Sequence, residues 1–197
     1  SPMQLNAPDR YRTATEIDAV ADLLDLRGAR VLELGCGTAH TTRALVEQLG
    51  AAEVVATEVD RVQHRQNLAV DDLPQVRFVL GGAEAIGAPD ASFDAVCMFK
   101  SLHHVPVAAM DQALAEIHRV LQPGGAALFS EPVYSGAFND LMALIHDERA
   151  VREAAFEALR HAVAAGLFRS EAEAFIEVPG TYPDWASFAE RFLEVTH

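Results

Sequence analysis

Residues 31–40 read VLELGCGTAH. A short apolar run carries a carboxylate, Glu33, near its end, and Gly35 and Gly37 follow with one residue between them. Glycine lets a backbone come close to a ligand, and the first turn of a helix presents N–H groups that have no partner within the helix. A G-x-G pair is a weak signal alone; between a strand and a helix it reads as a nucleotide-cofactor turn. The longer G-x-G-x-x-G pattern fails, because position 40 is His. A dinucleotide fingerprint has no carboxylate at the position of Glu33, and such a group suits a cationic part of a ligand better than a pyrophosphate.

Outward from this turn, strands and helices alternate. RVLEL is a predicted first strand, and TTRALVEQLG a helix that ends at Gly50. EVVATEVD, VRFVLGGAEA, SFDAVCMFKSLHHV and AALFSEPVY supply four further strands with their loops. RVQHRQNLAV and MDQALAEIHRVL are the helices between them, the second with Ala113, Leu114, Ile117 and Leu121 at helical spacing. An earlier helix over about 15–26 carries Ile17, Val20, Leu23 and Leu24 on one face, and Gly28 stops it. The strands are solidly apolar, as strands covered on both sides are, so the pattern predicts an α/β domain with a parallel sheet between helices.

Beyond Gly136 the pattern changes. Residues from about 138 to 166 are predicted helical, FIEVPG reads as a short strand, and a last helix is predicted from Asp184 or Trp185 to the end. On that reading the chain stops inside a helix, before any final strand pair, and one sheet edge is exposed. The whole of residues 1–197 is taken as one domain, with a cofactor-binding core over about 28–135 and a helical substrate-side region over about 136–197.

Composition sets further bounds. The formal net charge is -14, with Lys and Arg scattered beside Asp and Glu, which disfavours a nucleic-acid partner. Cys36 and Cys97 stand in apolar surroundings without metal-ligand spacing, so no zinc site and no disulfide framework is suggested. No apolar run nears the ~20 residues of a membrane span. No basic-then-apolar leader is present, and Ser1 and Pro2 before Met3 read as a tag remnant. These features lead to an expectation of a cytoplasmic protein, and the chain is taken as a monomer or homodimer.

With these motifs in hand, the sequence resembles the class I methyltransferases that use S-adenosylmethionine. It is most similar to the small-molecule branch that includes ubiquinone and menaquinone biosynthesis enzymes, often labelled methyltransferase type 11. The likeness covers about residues 28–135 and rests on VLELGCGTA, VVATEVD, GGAEAIGAPDASFDAV, SLHHVP and RVLQPGGAALFSEP in that order. It implies a Rossmann-like, doubly wound, mostly parallel sheet with helices on both faces and a helical insertion after strand five. It also implies S-adenosylmethionine as cofactor and no metal. The family normally continues into two more strands, the last antiparallel.

The resemblance assigns cofactor contacts to Glu33, Gly35, Cys36, Gly37, Thr38, Glu58, Val59, Gly82, Ala83, Glu84 and Lys100, and to Tyr11 closing over from the N-terminal helix region. Glu58 takes the ribose hydroxyls and Glu33 the ammonium of the amino-acid tail. Glu33→Ala or Gly35→Val is then expected to abolish binding while the fold survives. Gly82 stands where the family often has an Asp that contacts the adenine amino group, so backbone groups, Ala83, Glu84 or packing must hold the base. His103 and His104 are the candidates for a base, since an imidazole accepts a proton near neutral pH. Glu131 and Tyr134 point to the substrate side, and Phe138, Met142 and Phe168 suit a pocket wall. Two other classes stay open: a cofactor-binding module without catalysis, and a nicotinamide-dependent oxidoreductase that shares the first turn and Glu58.

Overall fold

The computed structural model describes residues 11–13, 15–133, 149–178 and 188–197. Its strands are β1 (Tyr11–Thr13), β2 (Arg30–Leu34), β3 (Glu53–Glu58), β4 (Val76–Leu80), β5 (Phe93–Phe99), β6 (Leu121–Val133), β7 (Arg169–Val178) and β8 (Phe188–Thr196). Its helices are α1 (Glu16–Leu23), α2 (His40–Glu47), α3 (Arg61–Asn67), α4 (Met110–Val120) and α5 (Arg149–Ala164). The strands form one sheet in the order β1-β7-β8-β6-β5-β2-β3-β4. Only β8 runs antiparallel to its neighbours. The expected α/β class and mostly parallel, doubly wound sheet are therefore present.

The period of two along each strand divides the core. Leu32, Leu34, Val96, Met98, Ala127 and Phe129 face α4 and α5, where Leu114, Ile117 and Leu159 meet them. Val31, Ala95, Cys97 and Leu128 face the other way, towards Ala19 and Val20 of α1 and Leu45 of α2. Local chemistry fixes the helix starts: Thr15 Oγ1 accepts from Asp18 N, and Asp60 accepts from Val62 N and Gln63 N. Asp94 Oδ2 accepts from Arg30 N at 2.8 Å, which ties the start of β5 to that of β2.

The C-terminal region corrects the sequence reading. Residues 188–196 are not helical; they form β8, hydrogen-bonded on one side to β6 and on the other to β7. Phe188, Phe192 and Val195 stand at helical spacing, and pairing with β6 and β7 overrides that local pattern. The strand read as FIEVPG is the end of the longer β7. The strand pair expected to be missing is thus present, and β6 has no open edge on that side. Tyr11 is not in a helical region: its backbone lies in β1, paired with Phe175, with β7, β8, β6 and β5 between it and β2. Phe168 does not face a substrate pocket: it is buried in the core, edge-on to His118 at 5.8 Å, beside the first residue of β7. Phe156 and Leu159 are buried on α5, as a helical core face requires. Tyr134, Phe138 and Met142 lie outside the described residues.

Candidate active site

From β2 the chain winds outward through β3 and β4 on one side and through β5 and β6 on the other. Where the winding reverses, the loops leaving β2 and β5 diverge and open a crevice at the carboxyl ends of the strands. A cavity of about 540 Å³ lies there. Its walls bring together Gly35 and Gly37 after β2, Glu58 and Val59 after β3, Gly82, Ala83 and Glu84 after β4, and Lys100 and His104 after β5.

The glycine turn is held by hydrogen bonds from several elements. Gly35 N and Cys36 N donate to Thr57 O at 3.0 and 2.8 Å. Gly37 N donates to Glu58 Oε1 at 2.9 Å, and Val59 N and Asp60 N donate to Glu58 Oε2 at 2.8 and 2.9 Å. A carboxylate offers about four acceptor positions, so Glu58 keeps room for about one ligand hydroxyl while holding the turn. Asn67 Nδ2 donates to Gly37 O at 2.9 Å from the end of α3.

The two glycines are required for different reasons. At Gly35 (φ +75°) a Cβ would stand 2.7 Å from Ser101 Cβ, and Ser101 Oγ in turn donates to Leu34 O. Close packing between the loops after β2 and β5 excludes any side chain there. Gly37 (φ +54°) has open space where its Cβ would be. Its missing side chain leaves the cavity wall accessible to a ligand.

Besides Tyr11, whose backbone lies in β1, three expected cofactor contacts are absent from the cavity wall. Glu33 is 1% exposed on the α2 face of β2, where Thr42 Oγ1 donates to its carboxyl. Burial pushes this carboxyl up to about 8, the Thr42 bond opposes the shift, and the charge of Glu16 adds to it. Glu33 therefore holds a proton near neutral pH. Cys36 is buried beside Asn67, and burial pushes its thiol up to about 12, so it is a filler and no nucleophile. Thr38 is exposed outside the cavity.

The two histidines separate. His104 is exposed and lines the cavity; His103 is 5% exposed and does not. His103 Nδ1 lies 2.6 Å from Glu131 Oε2, and its ring packs against that of His104 with centroids 4.1 Å apart. Glu131 is itself buried, and its Oε1 has no partner among the described residues. Lys100 is held at φ +54°, a left-handed conformation rare for a residue with a side chain, and its Nζ is 3.5 Å from Glu16 Oε2.

Sequence reading missed Thr42, Asn67 and Ser101. Thr42 donates to Glu33 from the helix that follows the turn, while Asn67 and Ser101 donate to Gly37 O and Leu34 O from elements further along the chain, and a lone hydroxyl or amide in one sequence carries no signal of that.

The residues suit an adenosyl cofactor. Gly37 leaves the wall open, Glu58 retains acceptor capacity, and Thr57 Oγ1 is buried beside the cavity without a partner among the described residues. Comparison with known proteins agrees. Residues 31–125 match the family described as "Methyltransferase domain". An uncharacterized methyltransferase of Mycobacterium tuberculosis is 38% identical over 121 residues, covering 61% of this chain and 47% of that protein. The 27-O-demethylrifamycin SV methyltransferase of Amycolatopsis mediterranei is 32% identical over 193 residues, covering 89% of this chain and 66% of that protein. A solved S-adenosylmethionine-dependent methyltransferase from Methanosarcina mazei superposes with a TM-score of 0.68 at 15% identity, covering 94% of this chain and 98% of that one. The last shares the fold. The chain carries a methyltransferase domain over residues 31–125, and S-adenosylmethionine is the cofactor that this domain implies. It spans about half the length of the mycobacterial relative it matches.

Among the described residues no helix is long and apolar enough to cross a membrane, and no group of His, Cys, Asp and Glu is arranged to hold a metal.

Proposed function

We propose that this protein methylates a hydroxyl of a small molecule, with His104 as the base. The observation that carries the reading is the placement of an exposed imidazole on the wall of the same cavity that the glycine turn and Glu58 define. The bound cofactor supplies an electrophilic methyl group on a sulfonium, and transfer is an in-line displacement.

The chain's own residues have separate tasks. Gly37 and the backbone around it accommodate the amino-acid tail, and Glu58 accepts a ribose hydroxyl. Met98, Val105 and Pro106 give the cavity an apolar wall that excludes water from the transfer. His104 takes the acceptor's proton as its oxygen becomes nucleophilic, a role worth about 10²–10⁴ in rate. His103, held by Glu131, braces the His104 ring and is a positioning residue. The rifamycin methyltransferase among the relatives supports an oxygen acceptor of small-molecule class.

Calorimetric titration with S-adenosylmethionine, S-adenosylhomocysteine and NAD tests the cofactor reading. Binding of the first two and not the third is expected. NAD binding alone would overturn it in favour of an oxidoreductase. S-Adenosylhomocysteine release, followed over a panel of hydroxyl-bearing acceptors, tests turnover. Binding with no turnover on any acceptor would make the protein a cofactor-binding module.

A further inference from the structure

The chain holds fourteen arginines and a single lysine, Lys100. That lysine stands on the cavity wall, four residues before His104 on the loop that leaves β5. Its backbone is left-handed, at φ +54°, and Lys100 N donates to Ser130 O at 2.7 Å. Glycine would take this conformation without steric cost, so a long charged residue kept there points to a use for its side chain. Arginine supplies the fixed positive charge everywhere else in the chain. This one position keeps a compact ammonium on a flexible stem.

Glu16, in the first turn of α1, faces the ammonium. Its Oε2 stands 3.5 Å from Lys100 Nζ, and its Oε1 accepts from Thr41 Oγ1 at 3.3 Å. A charge-assisted hydrogen bond is about 2.7–2.9 Å long, so the ion pair is a loose one. The lysine side chain is 48% exposed. A loose, half-exposed pair holds the ammonium at the cavity and yields to a closer anion.

The chemistry of the site says where that anion comes from. Among the described residues that line the cavity, Lys100 alone has a fixed positive charge; the carboxylates, Glu58 and Glu84, stand after β3 and β4. The sulfonium and ammonium of the cofactor outweigh its one carboxylate, so a bound cofactor adds positive charge to a wall that already carries Lys100. His104, the base, shares the β5 loop with Lys100, and an acceptor seated at His104 meets the same loop that carries the ammonium.

We propose that Lys100 binds a carboxylate on the acceptor and makes the enzyme selective for hydroxy acids over their neutral analogues. The inference rests on the function proposed above. The hydroxyl oxygen forms the bond to the methyl carbon, the carbon–sulfur bond breaks with its electron pair left on sulfur, and the proton goes to His104. The carboxylate is a handle and does not react.

The test compares kcat/KM for paired acceptors: meta-hydroxybenzoate with meta-hydroxybenzamide, mandelate with mandelamide, and ricinoleate with ricinoleamide. S-Adenosylhomocysteine release gives the rate and mass spectrometry the product. The wild type is expected to favour the acid of a pair by about tenfold to a hundredfold. In Lys100→Gln the ratio should fall towards one. In Lys100→Arg, which keeps the charge, most of it should return; a lysine needed only for folding would not sort acids from amides. A ratio near one in the wild type would overturn the inference and leave the hydroxyl-methylating reading standing, as would an undiminished ratio in Lys100→Gln. A marked loss of S-adenosylhomocysteine affinity in that variant, with the ratio unchanged, would assign the ammonium to the cofactor's tail instead. A methyl ester in place of a methyl ether would make the carboxylate itself the acceptor and overturn the inference. No turnover of any pair would overturn both readings.

Discussion

Two cavities of similar size are lined by described residues, and they differ in what builds them. The one at the carboxyl ends of the strands is about 540 Å³; the one between α4 and α5 is about 480 Å³. The first is bounded by strand-end loops, among them Gly35, Gly37, Gly81 and Gly82, with Glu58, Glu84, Lys100 and His104 around it. The second is bounded by stripes of two packed helices: Asp111, Leu114 and His118 of α4, with His161 and Ala162 of α5 and the turn that follows. Volume is nearly shared, and chemistry is not. Backbone groups and acceptors converge only where parallel strands end and glycine removes the side chains between. Two imperfectly meshed helices leave a crevice that needs no ligand to explain it.

The largest expected effect tests the functional end of this contrast. His104→Ala should lower turnover by about 10²–10⁴ while S-adenosylhomocysteine affinity stays within a few-fold, measured by product release and calorimetry. Unchanged turnover would remove the base from the first cavity and bring it closer in kind to the second. Next, Gly35→Val forces a side chain against Ser101 in a left-handed backbone. It should destabilise the fold by about 3 kcal/mol or more in chemical denaturation, besides losing the ligand. The sequence-based expectation of lost binding on an intact fold therefore passes from Gly35 to Gly37.

Glu33 tests the buried polar layer beneath the turn. Its carboxyl is raised from 4.5 to about 8 on folding, so the folded state binds the proton more tightly than the unfolded chain. That share of stability is complete below 4.5, falls as pH rises, and is gone above about 8. The slope is up to about 1.4 kcal/mol per pH unit. Glu33→Gln accepts the same Thr42 hydroxyl without titrating, so its unfolding free energy should fall less steeply across this window. Parallel wild-type and variant profiles would show that Glu33 is ionised in the fold. At the small end, His161→Ala in the helix crevice should change stability by no more than about 0.5 kcal/mol and leave cofactor binding alone. A marked loss of binding would make the second cavity part of the site.

The same divide governs what the sequence reveals. The strand–turn–helix around Gly35 and Gly37 is local: apolar strand, glycines and helix lie within a few residues, so order and spacing suffice to read it. Glu58, Val59, Ala83 and His104 follow because each stands just after a readable strand. β8 was illegible because its own residues admit a helix, and what makes it a strand is pairing on both sides, with β7 just before it and with β6 far back in the chain. The partition of His103 from His104 was hidden for a similar reason. Adjacent residues of one type are indistinguishable until Glu131, on another strand, takes one of them inward. The role of Gly35 was misread because Ser101, the atom group that requires it, lies on a different loop.

The placement of β8 has a consequence for biosynthesis. A ribosome releases β6 and β7 before residues 188–196, yet these two strands are not neighbours, and β8 lies between them. Until that segment emerges, β6 ends one part of the sheet and β7 joins only β1. The nascent chain therefore carries two incomplete sheets with open edges facing each other, a state prone to pairing with other chains. Closure comes as one late, long-range event, when a single strand satisfies both edges together.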